Sequence, residues 1–450
     1  MTRKFDVIVI GTGSAASTVA HDCRSAGWEV AIVDSRPFGG TCALRGCDPK
    51  KVLVGTAEVV DWVRRMSGKG VRADEARIDW AELMRFKRSF TDPVPKSQER
   101  SFANAGIAAF HGRAHFVGST AVGIGADALE GRHVVIATGA MPRKLGIRGE
   151  QYVITSDKFL ELEELPRRIV FIGGGYISFE FAHVAARAGA EVTILHRGQR
   201  PLEGFDPDLV SQLVGRTERL GVNVEVGTEV EGIEKSGDRL SVHASAGNER
   251  KMFEAQLVVH GAGRVPEISD LNLATAGVQA EESGIRVNEY LQSISNPAVY
   301  AAGDAAASGL PQLTPVAAYE GRIVASNLLK GNHRSVEHRP VPTIVFTIPP
   351  LAAVGLSERA ARQQVPQLRM NREDTSGWYS SRRVAEDCSG FKVLIEEGKD
   401  RILGAHVLGP HADELINIFA LAMQTETPAS QLKHALFGYP TLGSDVKYML

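Results

Sequence analysis

The chain has 450 residues, and its 51 basic and 53 acidic side chains give a formal net charge of −2. This length exceeds what a single hydrophobic core supports, so several domains are expected. The balanced charge excludes a general attraction to nucleic acid or to acidic membranes. No apolar run reaches the roughly 18 residues of a membrane span, and four cysteines are too few for a secreted disulfide framework. The sequence therefore predicts a cytoplasmic α/β protein with neither a membrane span nor a bound metal.

A strand, a glycine loop, a helix and a second strand follow one another twice in the chain. The two segments read "FDVIVIGTGSAASTVAHDCRSAGWEVAIVDS" and "RRIVFIGGGYISFEFAHVAARAGAEVTILHR". Gly11 and Asp34 are 23 positions apart, and so are Gly173 and His196. A single glycine loop is a weak signal, but two complete units in the same register predict two βαβ motifs that each bind a dinucleotide.

The residue that ends each second strand indicates which dinucleotide is bound. Asp34 is able to accept hydrogen bonds from ribose hydroxyls, which suits FAD or NAD and repels a 2′-phosphate. The corresponding place in the second motif holds His196, followed by Arg197 and Arg200. Cations in place of an acid favour the 2′-phosphate of NADPH over NADH. The alternative is that these cations are solvated surface charges.

Two further turns predict a flavin in the first motif. "VVIATGAMP" places Thr138 and Gly139 after a strand, and "VYAAGDAAASGLPQLTPVAAYEG" does the same for Gly303 and Asp304. In this position Asp304 is able to bind the ribityl chain of a flavin, and the helix that follows points its N-terminus at the ring. Each pattern is weak alone, but their order relative to the two βαβ motifs supports FAD.

The chain changes character after Pro342. "VPTIVFTIPPLAAVGLSE" and "FKVLIEEGKDRILGAHVLG" have the alternation of antiparallel strands, and "HADELINIFALAMQTE" has helical periodicity. The sequence therefore predicts a third domain of mixed α and β structure, without a dinucleotide signature.

With these motifs in place, the chain resembles the pyridine nucleotide–disulfide oxidoreductases, the family of glutathione reductase, dihydrolipoamide dehydrogenase and mercuric reductase. The resemblance runs from end to end and implies a homodimer of chains with two Rossmann-like domains and a C-terminal α+β dimerisation domain. It implies an FAD domain at 1–145 completed by 265–335, an NAD(P)H domain at 146–264 and an interface domain at 336–450. Hydride passes from the nicotinamide to the flavin in this family, and electrons then pass to a disulfide.

The resemblance also assigns roles to single residues. "GGTCALRGCDPKK" matches the active-site segment of the family, so Cys42 corresponds to the thiol that attacks substrate and Cys47 to the charge-transfer thiol beside the flavin. Lys50 corresponds to the lysine near flavin N5, and Glu180 to its carboxylate partner. Tyr176 corresponds to the tyrosine that covers the empty nicotinamide pocket. The expected cofactor-binding residues are Gly11, Gly13, Ser14, Asp34, Gly40, Thr41, Thr138, Gly139, Gly303, Asp304, Gly173, Gly175, Tyr176, His196, Arg197, Arg200 and Arg264.

The spacing of the two cysteines requires a break in the helix. Five residues of regular helix rise about 7.5 Å, beyond easy disulfide reach, but Gly46 permits a local distortion that closes the gap. The alternative for such a pair is ordinary core packing, which is the expectation for Cys23 and Cys388. Asp48 lies where the family has an apolar residue. It either raises the pKa of the Cys47 thiol or caps the helix that contains Pro49.

The C-terminus departs from the family. Disulfide reductases end in His-Pro-Thr with a glutamate five residues after the histidine, a pair contributed across the dimer as acid and base. Here Tyr439 replaces the histidine and Ser444 the glutamate, with Asp445 next to it. A phenol is a poor base near neutrality, so Tyr439, His434 and Asp445 remain alternative replacements. Mercuric reductase shares this tyrosine but ends in a cysteine pair that is missing here, and His21 stands where glutathione reductases have a substrate-binding arginine.

The leading hypothesis is an NADPH-dependent FAD enzyme that passes electrons through Cys42 and Cys47 to a small disulfide. The first alternative is a flavin reductase of quinones, metal ions or oxygen, which needs no thiol-exchange acid or base. The second is a redox-responsive binding protein.

Overall fold

A computed structural model describes residues 3–72 and 75–450 of the chain. Within these ranges, no helix is both long and apolar enough to cross a membrane. The helices are α1 Ser14–Ser25, α2 Gly40–Arg45, α3 Cys47–Met66, α4 Trp80–Thr91, α5 Val94–Ala105, α6 Ser156–Phe159, α7 Tyr176–Arg187, α8 Pro207–Arg219, α9 Thr314–Lys330, α10 Glu358–Gln364, α11 Tyr379–Arg382, α12 Ala412–Gln424, α13 Ala429–Lys433 and α14 Val446–Met449.

The strands are short in both compact units of the chain. They are β1 Arg3–Ile10, β2 Val30–Asp34, β3 Ala108–His111, β4 Ala114–Phe116, β5 Ala121–Ile124, β6 Asp127–Ile136, β7 Ala140–Pro142, β8 Val153–Ile154, β9 Arg168–Ile172, β10 Glu191–Leu195, β11 Asn223–Glu225, β12 Glu229–Ser236, β13 Arg239–Ala246, β14 Glu249–Ala255, β15 Leu257–His260, β16 Arg264–Pro266, β17 Ala280–Glu281, β18 Gly284–Ile285, β19 Val299–Ala301, β20 Thr343–Val345, β21 Leu351–Gly355, β22 Leu368–Asp374, β23 Gly390–Glu396 and β24 Arg401–Leu408.

The first compact unit comprises the chain up to Pro49, Phe86–Arg143 and Gly263–His338. Its main sheet has the order β3-β2-β1-β6-β5-β4, and β19 pairs with the second half of β6. β3, β2, β1, β6 and β19 are parallel, whereas β4 and β5 are antiparallel. The parallel strands thus carry all their carboxyl ends, and the loops that follow, to one edge of the sheet.

Both faces of this parallel sheet are covered, which explains its continuous apolar strands. Val7 and Val9 pack on one face with α1 and α9, and Ile8 and Ile10 pack on the other. This alternation follows from the two-residue period of a β-strand. Cys23 packs in the first of these layers, where burial raises its thiol pKa to about 12, as expected for a packing residue.

The second compact unit comprises Lys50–Arg85, Lys144–Ala262 and Arg339–Leu450. It contains a parallel sheet of order β11-β10-β9-β15-β8 and an antiparallel sheet of order β12-β13-β14. A further antiparallel sheet, of order β20-β21-β24-β23-β22, is formed after residue 342 and packs against α12. The strands and the helix predicted there are present. Residues 50–85, which the sequence assigned to the FAD domain, lie in this second unit, and the three-domain division stays a prediction.

Candidate active site

The loop between β1 and α1 is closed by glycine. Gly11 has a φ of +112°, and its N–H donates to the Val33 carbonyl at 2.7 Å. A Cβ at Gly11 would lie 2.3 Å from the Ala137 carbonyl oxygen, and one at Gly40 would lie 2.5 Å from the Gly13 Cα. Gly13 directly precedes α1, so no side chain covers the first N–H groups of this helix. The loop has the close backbone approach and the helix N-terminus that a pyrophosphate requires.

Asp34 ends β2 beside this loop. Its carboxylate accepts hydrogen bonds from the Thr12 hydroxyl at 2.6 Å and from the Arg36 N–H at 3.0 Å. The Thr12 hydroxyl in turn accepts from the Gly39 N–H at 3.2 Å. Two protein bonds leave acceptor capacity on a carboxylate, so the geometry is compatible with the predicted contact to ribose hydroxyls.

The turn after β6 holds an unsatisfied hydroxyl. Among the described residues, the Thr138 Oγ1 is buried and has no hydrogen-bond partner. Leaving a buried hydroxyl unpaired costs about 1–3 kcal/mol, so such a group is usually completed by a ligand or water. Gly139, the next residue, has a φ of +74° and open space where a Cβ would be. The unpaired Thr138 hydroxyl and the open space beside Gly139 are both compatible with a bound FAD at this turn.

The turn after β19 contains Asp304, which is half-buried, and it contacts Glu320, a buried acid of α9. The Gly303 N–H donates to Glu320 Oε2 at 2.6 Å, and burial raises the pKa of Glu320 to about 7. Burial also raises the pKa of Asp304, an effect that the Arg264 guanidinium opposes. Arg264 itself donates a hydrogen bond to the Ala140 carbonyl. Asp304 thus lies in the turn where the ribityl contact is predicted.

The cysteine segment is a helix interrupted by glycine. α2 ends at Arg45, Gly46 leaves the helical conformation with φ −139° and ψ −115°, and Cys47 begins α3. A Cβ at Gly46 would lie 2.9 Å from the Thr41 carbonyl oxygen. Cys42 and Cys47 are not joined by a disulfide. The pKa of the Cys42 thiol is raised, first by a hydrogen bond with the Cys47 side chain and then by burial. The predicted break at Gly46 therefore brings the two side chains together.

Asp48 is not the N-cap of α3. The helix begins one residue earlier, at Cys47, so Asp48 lies inside its first turn. The Cys42 Sγ donates to Asp48 Oδ1 at 3.8 Å, and the negative charge of Asp48 contributes to the raised pKa of the Cys42 thiol. The capping interpretation is thus wrong in detail, because the carboxylate faces a cysteine. That cysteine is Cys42 rather than Cys47.

Lys50 and Glu180 form a buried ion pair in the second compact unit. The Lys50 Nζ lies 2.9 Å from Glu180 Oε1, with 12% and 3% of the two side chains exposed. The Phe346 N–H donates to the same carboxylate oxygen at 2.8 Å, and the Lys50 Nζ lies 4.3 Å from the Phe346 ring centroid. The predicted pair is therefore present as a contact, and its role at the flavin stays a prediction.

The second glycine loop repeats the first. Gly173 has a φ of +103°, its N–H donates to the Leu195 carbonyl at 2.8 Å, and its Cβ would lie 2.5 Å from the Gly261 carbonyl oxygen. Gly175 precedes α7, and Tyr176 is the first residue of that helix. The Tyr176 side chain is half exposed, which is compatible with the predicted cover over a nicotinamide pocket.

His196 acts within the loop rather than as a cation at its surface. The Gly174 N–H donates to His196 Nδ1 at 3.1 Å, so Nδ1 carries no proton. His196 Nε2 lies 2.9 Å from the Arg200 carbonyl oxygen, to which it donates. The ring is therefore the neutral tautomer with a proton on Nε2. Arg197 is largely exposed, and Glu229 lies 3.7 Å from its guanidinium.

Tyr439 lines a cavity of about 490 Å³ in the C-terminal part of the second unit. Its side chain is 81% exposed. Asp445 lines the same cavity; burial raises the pKa of its carboxyl, whereas a hydrogen bond from Ser380 lowers it. The other lining residues are Glu373, Trp378, Tyr379, Ser380, Pro440, Ser444 and Tyr448.

His434 and Ser444 have local structural partners. His434 follows α13, and its Nδ1 lies 2.6 Å from the Ser430 carbonyl oxygen, in keeping with a residue that caps a helix end. The Ser444 hydroxyl donates to the Thr441 carbonyl at 2.6 Å, and the Ser444 N–H donates to the Thr441 hydroxyl at 3.2 Å.

Four residues beside the predicted site were not singled out from the sequence. The Thr12 hydroxyl donates to the Asp34 carboxylate, and the Glu320 carboxylate accepts from the Gly303 N–H. The Phe346 N–H donates to Glu180, the carboxylate that also pairs with Lys50. The Thr314 hydroxyl lies 3.5 Å from the Cys47 Sγ. A Thr-Pro pair at the start of a helix marks Thr314 in the sequence, but nothing there connects it to a cysteine 267 positions earlier.

One acidic cluster in the described residues has the spacing of a metal site. It consists of Asp206, Asp208 and Glu358. The Lys392 Nζ lies 2.7, 2.7 and 2.9 Å from their three carboxylates. The ammonium of Lys392 therefore already occupies the position between these carboxylates and offsets part of their charge.

Comparison with known proteins places these sites in a family. The pattern described as "Pyridine nucleotide-disulphide oxidoreductase" matches residues 5–321, and that described as its dimerisation domain matches residues 341–450. A glutathione reductase of Burkholderia cepacia is 32% identical over 442 residues, covering 98% of this chain and 97% of that protein. A mercuric reductase of Bacillus cereus is 29% identical over an alignment that covers 98% of this chain and 70% of that protein.

A solved structure has a similar fold over the whole length of this chain. The Cu(II) complex of the HOCl-induced flavoprotein disulfide reductase RclA from Escherichia coli superposes with a TM-score of 0.90 and 26% identity, covering 100% of this chain and 99% of that one. The predicted fold class and enzyme class are confirmed, and the chain carries the family's dimerisation domain. The chain belongs to the pyridine nucleotide–disulfide oxidoreductase family, and it is an FAD-dependent NAD(P)H oxidoreductase of the disulfide type.

Proposed function

We propose that this enzyme uses NADPH and FAD to reduce a small disulfide through Cys42 and Cys47. The observation that carries the proposal is the contact between the two thiols across the helix break at Gly46. Two cysteines five residues apart in an unbroken helix would be separated by about 7.5 Å of rise, beyond easy disulfide reach. FAD, when bound, accepts a hydride from the nicotinamide and supplies an electron pair that reduces the cysteine disulfide.

The two thiols then perform the exchange. Cys42 attacks one sulfur of the substrate, the substrate S–S bond breaks, and the first product leaves as a thiol. Cys47 next attacks the Cys42 Sγ, which releases the second product and leaves a Cys42–Cys47 disulfide. The two thiol protons end on the two products, so the substrate gains two electrons and two protons. The Thr314 hydroxyl, 3.5 Å from the Cys47 Sγ, is placed to orient that thiol.

Anaerobic titration with NADPH tests the redox pair. The wild-type holoenzyme is expected to take up two electron pairs per flavin, one on the flavin and one on the cysteines. Cys42→Ser and Cys47→Ser should each take up only one, whereas Cys23→Ala, which removes a buried packing thiol, should still take up two. Uptake of a single pair by the wild type would overturn the assignment.

The proposed preference for NADPH rests on two exposed arginines. The second motif has no acid where Asp34 stands in the first, and Arg197 and Arg200 follow the neutral His196. Hydrogen bonds to a charged group contribute about 1.5–3 kcal/mol each, so Arg197→Ala and Arg200→Ala should each lower kcat/KM for NADPH about tenfold or more. The same variants should leave kcat/KM for NADH within about twofold; an equal loss with both nucleotides would contradict the preference.

We also propose that the enzyme is a homodimer whose C-terminal segment, with Tyr439, faces the cysteine pair of the partner. The dimerisation domain at residues 341–450 and the high exposure of Tyr439 support this arrangement. Light scattering of the purified holoenzyme should give twice the chain mass of 48.5 kDa. A monomer that retains full turnover would contradict it.

A second candidate function is the reduction of a metal ion. Two observations favour it: a tyrosine replaces the histidine that disulfide exchange uses, and RclA was solved as a Cu(II) complex. One-electron reduction of Cu(II) releases no thiolate and therefore needs no general acid. NADPH-dependent formation of Cu(I), measured with a Cu(I)-specific chelator, should exceed disulfide turnover if this function is the main one.

A further inference from the structure

Two departures from the family concern the proton of the Cys42 thiol. The C-terminal base is replaced by Tyr439, and an acid, Asp48, stands where the family has an apolar residue. The structure adds that the Cys42 Sγ donates to Asp48 Oδ1 at 3.8 Å. Cys42 is the residue that must lose its proton before it attacks the substrate.

We propose that Asp48 is the acid and base of thiol exchange in this enzyme, in place of the missing histidine. The proposal rests on the proposed disulfide reductase function. As the Cys42 sulfur forms its bond to the substrate, the Cys42 proton moves to the Asp48 carboxylate. The substrate S–S bond breaks, and Asp48 returns the proton to the departing sulfur. No proton or electron is gained or lost by Asp48 over the step.

The position of Asp48 suits proton transfer. It lies in the first turn of α3, one residue after Cys47, and its side chain is exposed, so water is able to reach the carboxylate. The groups that act on the Cys42 thiol in the first compact unit are Cys47, Thr314 and Asp48. Among these three, only the Asp48 carboxylate is an anion that accepts the Cys42 proton without being consumed by the reaction.

The thiol requires such a base. A hydrogen bond with Cys47 and burial raise the pKa of Cys42, so the thiol is protonated at neutral pH. A thiol is far less nucleophilic than a thiolate, and an aliphatic thiolate is a poor leaving group unless it is protonated. A group in contact with the Cys42 Sγ serves both needs in one step.

Substrates with different leaving groups distinguish the possible roles of Asp48. Bis(2-hydroxyethyl) disulfide releases a basic thiolate that needs a proton, whereas 5,5′-dithiobis(2-nitrobenzoate) releases a stabilised thiolate that does not. General acid–base catalysis typically contributes about 10²–10⁴-fold. Asp48→Asn should therefore lower kcat/KM for the first substrate about 100-fold and leave the second within about threefold. Asp48→Glu should recover part of the lost activity.

Each other outcome has a definite meaning. An equal loss with both substrates in Asp48→Asn would show a structural role, and a gain with both would show that Asp48 only suppresses the thiolate; either result overturns the inference. Glu130→Gln, which neutralises an exposed carboxylate outside the site, is the control and should leave kcat/KM unchanged for both disulfides. A loss confined to bis(2-hydroxyethyl) disulfide in Tyr439→Phe would assign the proton to Tyr439 and overturn the inference. If the wild type reduces neither disulfide, the proposed function itself fails.

Discussion

In both glycine loops the first glycine has a positive φ, +112° at Gly11 and +103° at Gly173. Each N–H donates to the carbonyl at or near the end of the neighbouring strand, at 2.7 and 2.8 Å. Each absent Cβ would meet a carbonyl oxygen at 2.3 or 2.5 Å. The two loops are therefore built alike, and the difference begins 23 positions after each first glycine, at Asp34 and His196.

Asp34 and His196 occupy equivalent positions and behave in opposite ways. The Asp34 carboxylate accepts two hydrogen bonds, from the Thr12 hydroxyl and the Arg36 N–H, and has further lone pairs for a ligand. His196 uses both ring nitrogens inside the protein, so it presents neither a carboxylate nor a charge. The two motifs share their backbone geometry, and we therefore expect the side chains at Asp34 and His196, with their neighbours, to select the dinucleotide.

The largest effect is expected from adding a Cβ at the first glycine of either loop, Gly11 or Gly173. Gly11→Ala and Gly173→Ala each place a Cβ within 2.5 Å of a carbonyl oxygen at a positive φ, which costs several kcal/mol. We expect Gly11→Ala to lose bound FAD, measured by flavin absorbance after purification. Gly173→Ala should keep FAD that dithionite reduces but NADPH does not. Loss of flavin from both variants would show that the two loops do not have separate ligands.

The buried acids near the two motifs differ in whether a cation neutralises them. Glu180 pairs with Lys50 at 2.9 Å, so Lys50→Met leaves a buried carboxylate unpaired. Removing one partner of such a pair costs about 3–5 kcal/mol, which urea denaturation of the holoenzyme should detect. The double variant Lys50→Met with Glu180→Gln should recover most of this loss. No recovery would mean that Lys50 stabilises the protein through its contact with Phe346 instead.

Within the described ranges, the groups that act on the pKa of Glu320 are Ser308, Gly303 and Asp304, and none of them is a cation. This difference from Glu180 predicts a pH dependence. Burial raises the pKa of Glu320 from 4.5 to about 7, so the folded protein binds this proton more tightly than the unfolded chain. Its contribution to stability is complete below about pH 4.5 and is lost as the pH rises through about 7. Glu320→Gln should remove this loss, gaining on the order of 2 kcal/mol at pH 8 relative to pH 5. The exposed Glu130→Gln is the control, and an unchanged pH profile in Glu320→Gln would contradict the prediction.

Much of the scaffold was predictable from the sequence because local rules decide it. The apolar run Val7–Ile10 has to be a strand covered on both faces, and Gly11 is required by the backbone approach to Ala137. Gly46 between two cysteines predicted the break that brings their side chains together. Each of these inferences depends on a few neighbouring residues and on the period of a strand or helix.

The remaining features depend on hydrogen bonds that no local pattern specifies. The neutral state of His196 follows only from its two partners, and its residue type alone suggested a cation. Asp48 was expected to act on Cys47 or to cap α3, because nothing in the sequence shows that α3 begins at Cys47 or that the carboxylate turns back to Cys42. Long-range partners such as Thr314 are set by the packing of distant segments.

The smallest effect is expected at His196, the position at which the second motif differs from Asp34 of the first. His196→Asp gives the second motif the acid of the first, which should repel a 2′-phosphate and accept a ribose hydroxyl. The ratio of kcat/KM for NADPH to that for NADH should fall about tenfold, the effect of about 1.4 kcal/mol. His196→Gln is the matched control, because its amide is able to accept from the Gly174 N–H and donate to the Arg200 carbonyl without carrying a charge. If Gln lowers the ratio as far as Asp does, His196 binds NADPH as a cation and the neutral tautomer is not the state that recognises the nucleotide.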